Sequence, residues 1–232
     1  MGVVETKQQA LLLVGASGGV GAALLEYLSS RTTLACLPTY KNNKPTESKF
    51  PWIHYDSNNH DSTKSMFEEL HKRYEIQVVI DASGAFFASR IEKSTSQVIS
   101  GVITTNLLAP LVLAKYAQEF MQIGGKIIFM SSIVSTMQLI GSSAYAASKA
   151  GLERGIISLG PEFSQTGHGI CGIRLGYMDY GMTYKINEKV RKEILSGSSM
   201  EKFIEIGVLG EMILEILKTE TSKMNGLLYE IK

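Results

Sequence analysis

The run Ala10-Leu11-Leu12-Leu13-Val14 leads straight into Gly15-Ala16-Ser17-Gly18-Gly19-Val20-Gly21, where a helical pattern begins. An apolar run without alternation fits a strand buried on both faces, as in a parallel sheet. Glycines at such a turn let backbone N–H groups approach an anion closely at the positive end of a helix dipole. Gly15, Gly19 and Gly21 read as GxxxGxG, which is neither GxGxxG nor a P-loop. A tight structural turn is the plain alternative. The segment Gly15-Ala16-Ser17-Gly18-Gly19 also fits the GxSxG nucleophile elbow literally, but an elbow needs strands and an oxyanion loop before it. Only one strand precedes Gly15.

The same alternation runs through the chain. Strands are expected at 10–14, 33–40, 51–55, 77–80, 126–130, 169–175 and 227–231. Helices are expected at 20–30, 62–74 (capped by Ser62), 94–121 (bent by Pro110), 143–163 and 200–218. This order predicts an α/β fold, a doubly wound parallel sheet of about seven strands with helices on both faces. No linker or repeat interrupts it, so residues 1–232 read as one domain.

Composition narrows the function. There are 23 Lys+Arg against 22 Asp+Glu, a net charge of +1, so no nucleic-acid partner is expected. Two cysteines, Cys36 and Cys171, cannot make a disulfide framework. His54, His60 and Asp61 span a strand end and a turn, so no metal is expected there. No apolar run approaches about 18 residues, and no membrane partner is expected. Without an export signal, the expected location is cytoplasmic.

Tyr145 and Lys149 stand four apart on one helix face. An ammonium beside a phenol lowers its pKa and suits it to general acid–base work near neutrality. Ser132 falls at the carboxyl end of the fifth strand, where open α/β sheets bind ligands. An isolated Tyr/Lys pair is more often a solvated surface pair.

Taken together, these pieces resemble the short-chain dehydrogenase/reductase family, which has a Rossmann-type sheet, over nearly the whole chain. Gly15, Gly19 and Gly21 match its TGxxxGxG turn, with Val14 in place of Thr. Asp81-Ala82-Ser83-Gly84 stands where the family has Asn-Asn-Ala-Gly, and Asn106 matches its catalytic Asn. Ser132 matches the catalytic Ser, and the segment from Tyr145 through Lys149 to Gly151 matches the YxASKAG helix. Arg174-Leu175-Gly176 has Leu175 in place of the usual Pro. The resemblance implies a cofactor half over about 9–130 and a catalytic and substrate half over about 131–232.

It also implies roles. Tyr145 would exchange a proton with a carbonyl oxygen that Ser132 orients. Lys149 would lower the Tyr145 pKa and hold the nicotinamide ribose, and Asn106 would keep a relay water. Cofactor contacts would come from Gly15, Ser17, Gly18, Gly19, Val20, Tyr40, Lys41, Asp56, Ser57, Ala82, Ser83, Gly84, Tyr145, Lys149, Gly176 and Met178. Thr39-Tyr40-Lys41-Asn42-Asn43 at the end of the second strand contains no acid, and Lys41 suits a 2′-phosphate, so NADPH is expected over NADH. The substrate pocket is expected from Phe86, Ile133, Met137, Gln138, Tyr177 and Tyr180, an apolar and aromatic set suited to an acyl chain. A basic stretch at Lys185, Lys189, Arg191 and Lys192 could meet an acidic carrier, though a solvated helix face is its simpler meaning. The general look is that of 3-oxoacyl-acyl-carrier-protein reductases of fatty acid or polyketide biosynthesis, ketoreductases that turn a β-ketoacyl thioester into the β-hydroxyacyl product. Reductases of free alcohols, steroid-like molecules or sugars, and a non-catalytic NAD(P)-binding scaffold, are the alternatives. A homo-oligomer is expected by the same resemblance. That homo-oligomer is expected to be a dimer or a tetramer, with a dimer gaining weight because the chain stops at Lys232, just past the last strand.

Overall fold

A computed structural model describes residues 6–45, 48–181 and 203–232. The basic stretch at 185–192 lies outside them. The strands are β1 (Gln8–Val14), β2 (Ala35–Tyr40), β3 (Ile53–His54), β4 (Tyr74–Asp81), β5 (Lys126–Ser132), β6 (Gly169–Leu175) and β7 (Leu227–Ile231). They form a single sheet in the order β3-β2-β1-β4-β5-β6-β7, with every pairing parallel. The helices are α1 (Gly19–Ser29), α2 (His60–Arg73), α3 (Ser96–Ile103), α4 (Ala109–Phe120), α5 (Ser143–Gln165) and α6 (Ile206–Lys218).

Burial explains why the first strand is apolar from Ala10 to Val14. Leu11 and Leu13 enter one core with Leu24 and Leu28 of α1 and Leu209 and Ile213 of α6. Ala10, Leu12 and Val14 enter the other, with Phe67 of α2, Leu113 of α4 and Phe163 of α5. Successive strand residues point to opposite faces, so a strand covered on both sides cannot alternate in polarity. The order reverses between β1 and β4, and the register sets Val14 opposite Asp81 and Ser132 opposite Leu175. The carboxyl ends of β1, β4, β5 and β6 thus share one edge, where doubly wound sheets hold ligands.

Four local expectations change. The second helix begins earlier than Ser62: Asn59 caps it, its side chain accepting from Ser62 N at 3.4 Å. The fourth strand starts three residues earlier, at Tyr74, to pair with Gln8 of β1. The long stretch 94–121 is not one helix bent at Pro110. It is α3 and α4 joined by a π turn, Thr104–Leu108, directly before that proline. Proline has no N–H for the carbonyl four residues back and crowds it, and the widened turn accommodates both. Finally, Ser96–Phe120 is by length and composition apolar enough to cross a membrane, with a mean hydropathy of 1.6. Reading short apolar runs missed this because Ser, Thr, Gly and Asn interrupt the stretch. In this fold α3 packs on α5, and α4 packs on α2, α5 and the sheet.

Candidate active site

The glycine turn is built for close approach. Gly15 has φ +77°, and a Cβ there would lie 2.7 Å from the Ser83 backbone nitrogen, so the turn presses against the chain leaving β4. A Cβ on Gly19 would lie 2.2 Å from Gly181 N, because the segment after β6 rests on the first turn of α1. Gly18, at the helix N-cap, receives no side-chain capping bond. Gly18 N itself donates to Gly15 O at 3.0 Å, and the first turn of α1 with the positive end of its dipole borders this cradle, a fit for a pyrophosphate. Thr39 Oγ1 of β2 accepts from Gly15 N at 3.0 Å and fixes the turn to the sheet. Ser17 and Gly18 are exposed and Val20 half-buried beside this edge.

At the far end, Tyr40 closes β2. Lys41 pairs with Asp56 at 2.7 Å, and Asp56 also accepts from Asn58 N at 2.9 Å, with Ser57 between. Trp52 and His54 meet Tyr40 edge to face, with centroids 6.5 and 5.4 Å away. The sequence reading did not single out Trp52 or treat His54 as part of this group. Their proximity arises from the β2–β3 register, which sets Tyr40 opposite His54.

The catalytic candidates converge. Ser132 ends β5, and its Oγ accepts from Val134 N at 3.2 Å on the side of the sheet edge that faces Tyr145. Burial pushes that phenol above its usual pKa, Ser132 pulls it down, and Tyr177 pushes it up. The expected lowering by Lys149 is therefore not what the fold produces. Lys149 is buried with its Nζ donating to the Met130 carbonyl at 2.8 Å. Burial lowers the Lys149 pKa to about 8, against the opposing pull of Asp81 and Glu153. Asp81 is itself buried and pushed up, and it accepts from Ser83 N at 2.9 Å.

Asn106 sits in the π turn, fully buried. Its Nδ2 donates to Ala85 O at 2.7 Å and to Ser148 Oγ at 3.1 Å, while Oδ1 accepts from Ala85 N at 2.8 Å. Both amide hydrogens are thus used within the protein, leaving Oδ1 lone-pair capacity for a water. A Cβ on Gly84 would lie 3.6 Å from this Oδ1 and 3.9 Å from Lys149 Nζ, so the loop after β4 joins both residues. Ala82 N donates to Val14 O at 3.0 Å, and Gly176 N to Ile231 O at 2.8 Å.

The substrate-pocket expectations divide. Phe86 stands against Tyr145 edge to face at 5.0 Å. Met137, Tyr177 and Tyr180 are partly buried against the first core, and Gln138 is exposed. Ile133 is a correction, because its side chain belongs to the core. Met178 is also a core side chain, bridged to Ile204 through the backbone, so only its main chain can face a ligand. Phe87, Ile91, Leu139 and Ile140 form an exposed apolar rim, and Ser89 N donates to Gly141 O at 2.9 Å to join its two loops.

The sequence reading missed the charges around Lys149. Asp81, Glu153 and Arg174 are all drawn into this region. The four-residue spacing of Lys149 and Glu153 was the available signal.

A doubly wound sheet with an uncapped glycine-rich helix start and a Ser–Tyr–Lys set at one edge defines a dinucleotide-dependent oxidoreductase. A profile of the short chain dehydrogenase family matches residues 9–191, and the chain belongs to that family. The 3-oxoacyl-[acyl-carrier-protein] reductase FabG of Escherichia coli is 25% identical over 236 residues, covering 95% of this chain and 97% of that protein. An uncharacterized oxidoreductase of Mycobacterium tuberculosis is 30% identical over 193 residues, covering 77% of this chain and 76% of that one. A short-chain dehydrogenase from Burkholderia cenocepacia, solved in complex with NADP, has a TM-score of 0.87 at 20% identity, covering 97% of each chain.

Proposed function

We propose that this chain is an NADPH-dependent carbonyl reductase acting on a β-ketoacyl thioester. One observation carries the reading: Tyr145 and Lys149 stand one turn apart on α5 against the end of β5, where Ser132 closes the strand and Lys149 Nζ donates to Met130 O at 2.8 Å, at the sheet edge that also bears the glycine turn. A phenol so placed can give a proton to a carbonyl oxygen as hydride reaches its carbon. Gly15, Gly18 and Gly19 would hold the pyrophosphate, Tyr40 and Lys41 the adenosine end, and Lys149 the nicotinamide ribose. When bound, NADPH supplies the hydride. Ser132 orients the substrate oxygen, and Tyr145 gives it a proton. Lys149 places a positive charge beside the reacting groups, and Asn106 fixes the loop that borders them.

The cofactor assignment draws support from the lack of an acid after β2 and from Lys41. Two solved relatives in fold, the Burkholderia enzyme and BdcA, were determined with NADP and NADPH. The substrate assignment draws support from the names of relatives, FabG and the Mycobacterium avium reductase MabA. The apolar rim around Phe86 suits an acyl chain. The test is NADPH oxidation with acetoacetyl-CoA, free ketones and sugars side by side. Turnover fastest with the thioester is expected. Preference for a free ketone or sugar overturns the substrate, and no turnover with any of them overturns the enzyme reading.

A further inference from the structure

Glu153 takes no part in the chemistry above, yet it is buried and fully engaged. Its Oε1 accepts from Ser131 Oγ at 2.6 Å, from Ser135 Oγ at 2.7 Å and from Arg174 Nε at 3.1 Å. Its Oε2 accepts from Arg174 Nη2 at 2.8 Å, and Arg174 Nη1 reaches Glu230 at 2.8 Å on β7. These bonds hold the Glu153 carboxyl below the usual carboxylate range despite burial.

A buried ion pair is a poor way to gain stability, since well-packed apolar side chains often do as well or better. Its worth lies in fixing geometry, and the geometry here is specific. Ser131 and Ser135 bracket Ser132 in sequence. Glu153 lies on α5, eight residues beyond Tyr145 and four beyond Lys149. The carboxylate therefore fastens the segment carrying Ser132 to the helix carrying Tyr145, and Arg174 fastens both to β6. Its charge also lies close to Lys149.

We infer that Glu153 is a positioning residue, which sets Ser132 against Tyr145 through Ser131 and Ser135 and places its carboxylate one helical turn from Lys149. The inference rests on the reading of Ser132, Tyr145 and Lys149 given above. The charged groups facing Lys149 are Asp81 from β4 and Glu153 from its own helix, and Arg174 from β6 faces Glu153.

The test compares wild type, Tyr145→Phe, Glu153→Gln, Glu153→Asp and Ser135→Ala with NADPH and acetoacetyl-CoA across pH. Glu153→Gln should lower kcat about tenfold or more, as small misplacements of reacting groups do. KM for NADPH should stay within about twofold, since no cofactor contact is touched. The basic limb of its kcat profile should move to lower pH, because Lys149 has lost a carboxylate that favours its charge. Glu153→Asp should restore the position of that limb. Ser135→Ala should lower kcat about fivefold with the limb unmoved, the loss of one hydrogen bond. Where Glu153→Gln does not fold, Ser135→Ala and Glu153→Asp carry the test. Wild-type kcat in the variants, or a fall in kcat for Glu153→Gln without movement of the limb, overturns the proposal. A Tyr145→Phe enzyme with wild-type turnover overturns the site reading instead, and this inference falls with it.

Discussion

Asn106 grips Ala85 from both sides, donating to its carbonyl at 2.7 Å and accepting from its amide at 2.8 Å. An asparagine amide thus takes the place of a strand partner for one residue of the loop after β4. The π turn brings Asn106 to this position, and its third bond, to Ser148, ties the loop to α5. The loop after β4, the π turn and α5 are therefore joined through one side chain.

Asn106→Ala should leave the polar backbone atoms of Ala85 unpaired in a half-buried setting. A loss of about 1–3 kcal/mol is expected, together with reduced turnover. Urea unfolding and kcat measured on the same preparation check this. An unchanged midpoint with unchanged turnover contradicts the clamp.

Tyr145→Phe should reduce kcat by about 10²–10⁴, the usual range for a lost general acid. NADPH affinity, followed by cofactor fluorescence, should be unchanged. The phenol makes no contact with the glycine turn, so loss of binding would point to a different role.

Lys149 gives a pH signature of two opposite signs. Burial lowers its pKa from 10.5 to about 8. Between those values the unfolded chain holds a proton that the folded chain has released, so this group's contribution to stability increases as pH rises through the window. Activity should fall over the same window as the ammonium is lost. Urea titrations of wild type and Lys149→Met, compared at each pH, isolate the effect. A difference that is flat or falls with pH refutes it.

Lys41→Glu should raise KM for NADPH about tenfold and leave NADH nearly unaffected, since a carboxylate repels a 2′-phosphate. The existing Lys41–Asp56 pair is more than a third exposed on both sides, so its own contribution to stability is small. The wild-type preference for NADPH should weaken as salt is raised. An NADH preference in wild type would defeat the cofactor assignment.

The sheet was legible because residues 10–14 in β1 and 127–130 in β5 are unbroken apolar runs, which admit few alternatives to a two-sided core. The catalytic set was legible because Tyr145 and Lys149 share a helix, so spacing alone places them together. What remained hidden depended on long-range contacts. Pro110 announced an irregularity, but not whether the chain would bend or widen into a π turn. Lys41 announced a positive charge, but its partner Asp56 sits on the neighbouring crossover. The Tyr145 pKa failed for a related reason: the Lys149 ammonium goes to the Met130 carbonyl, and burial then decides the phenol. Ile133 was expected in the substrate pocket and Met178 at the cofactor, since strand ends open onto the site, but both side chains join the first core.

Tyr145, Lys149 and Glu153 recur every four residues along α5. A helix turns about 100° per residue, so inserting or deleting one residue between them would swing the later group out of the site. Length change in this segment is therefore forbidden while point substitution on its outer face remains open. A lineage altering its substrate range would have to do so through the loops bearing Phe87 and Ile140, where a longer or shorter chain disturbs none of these alignments.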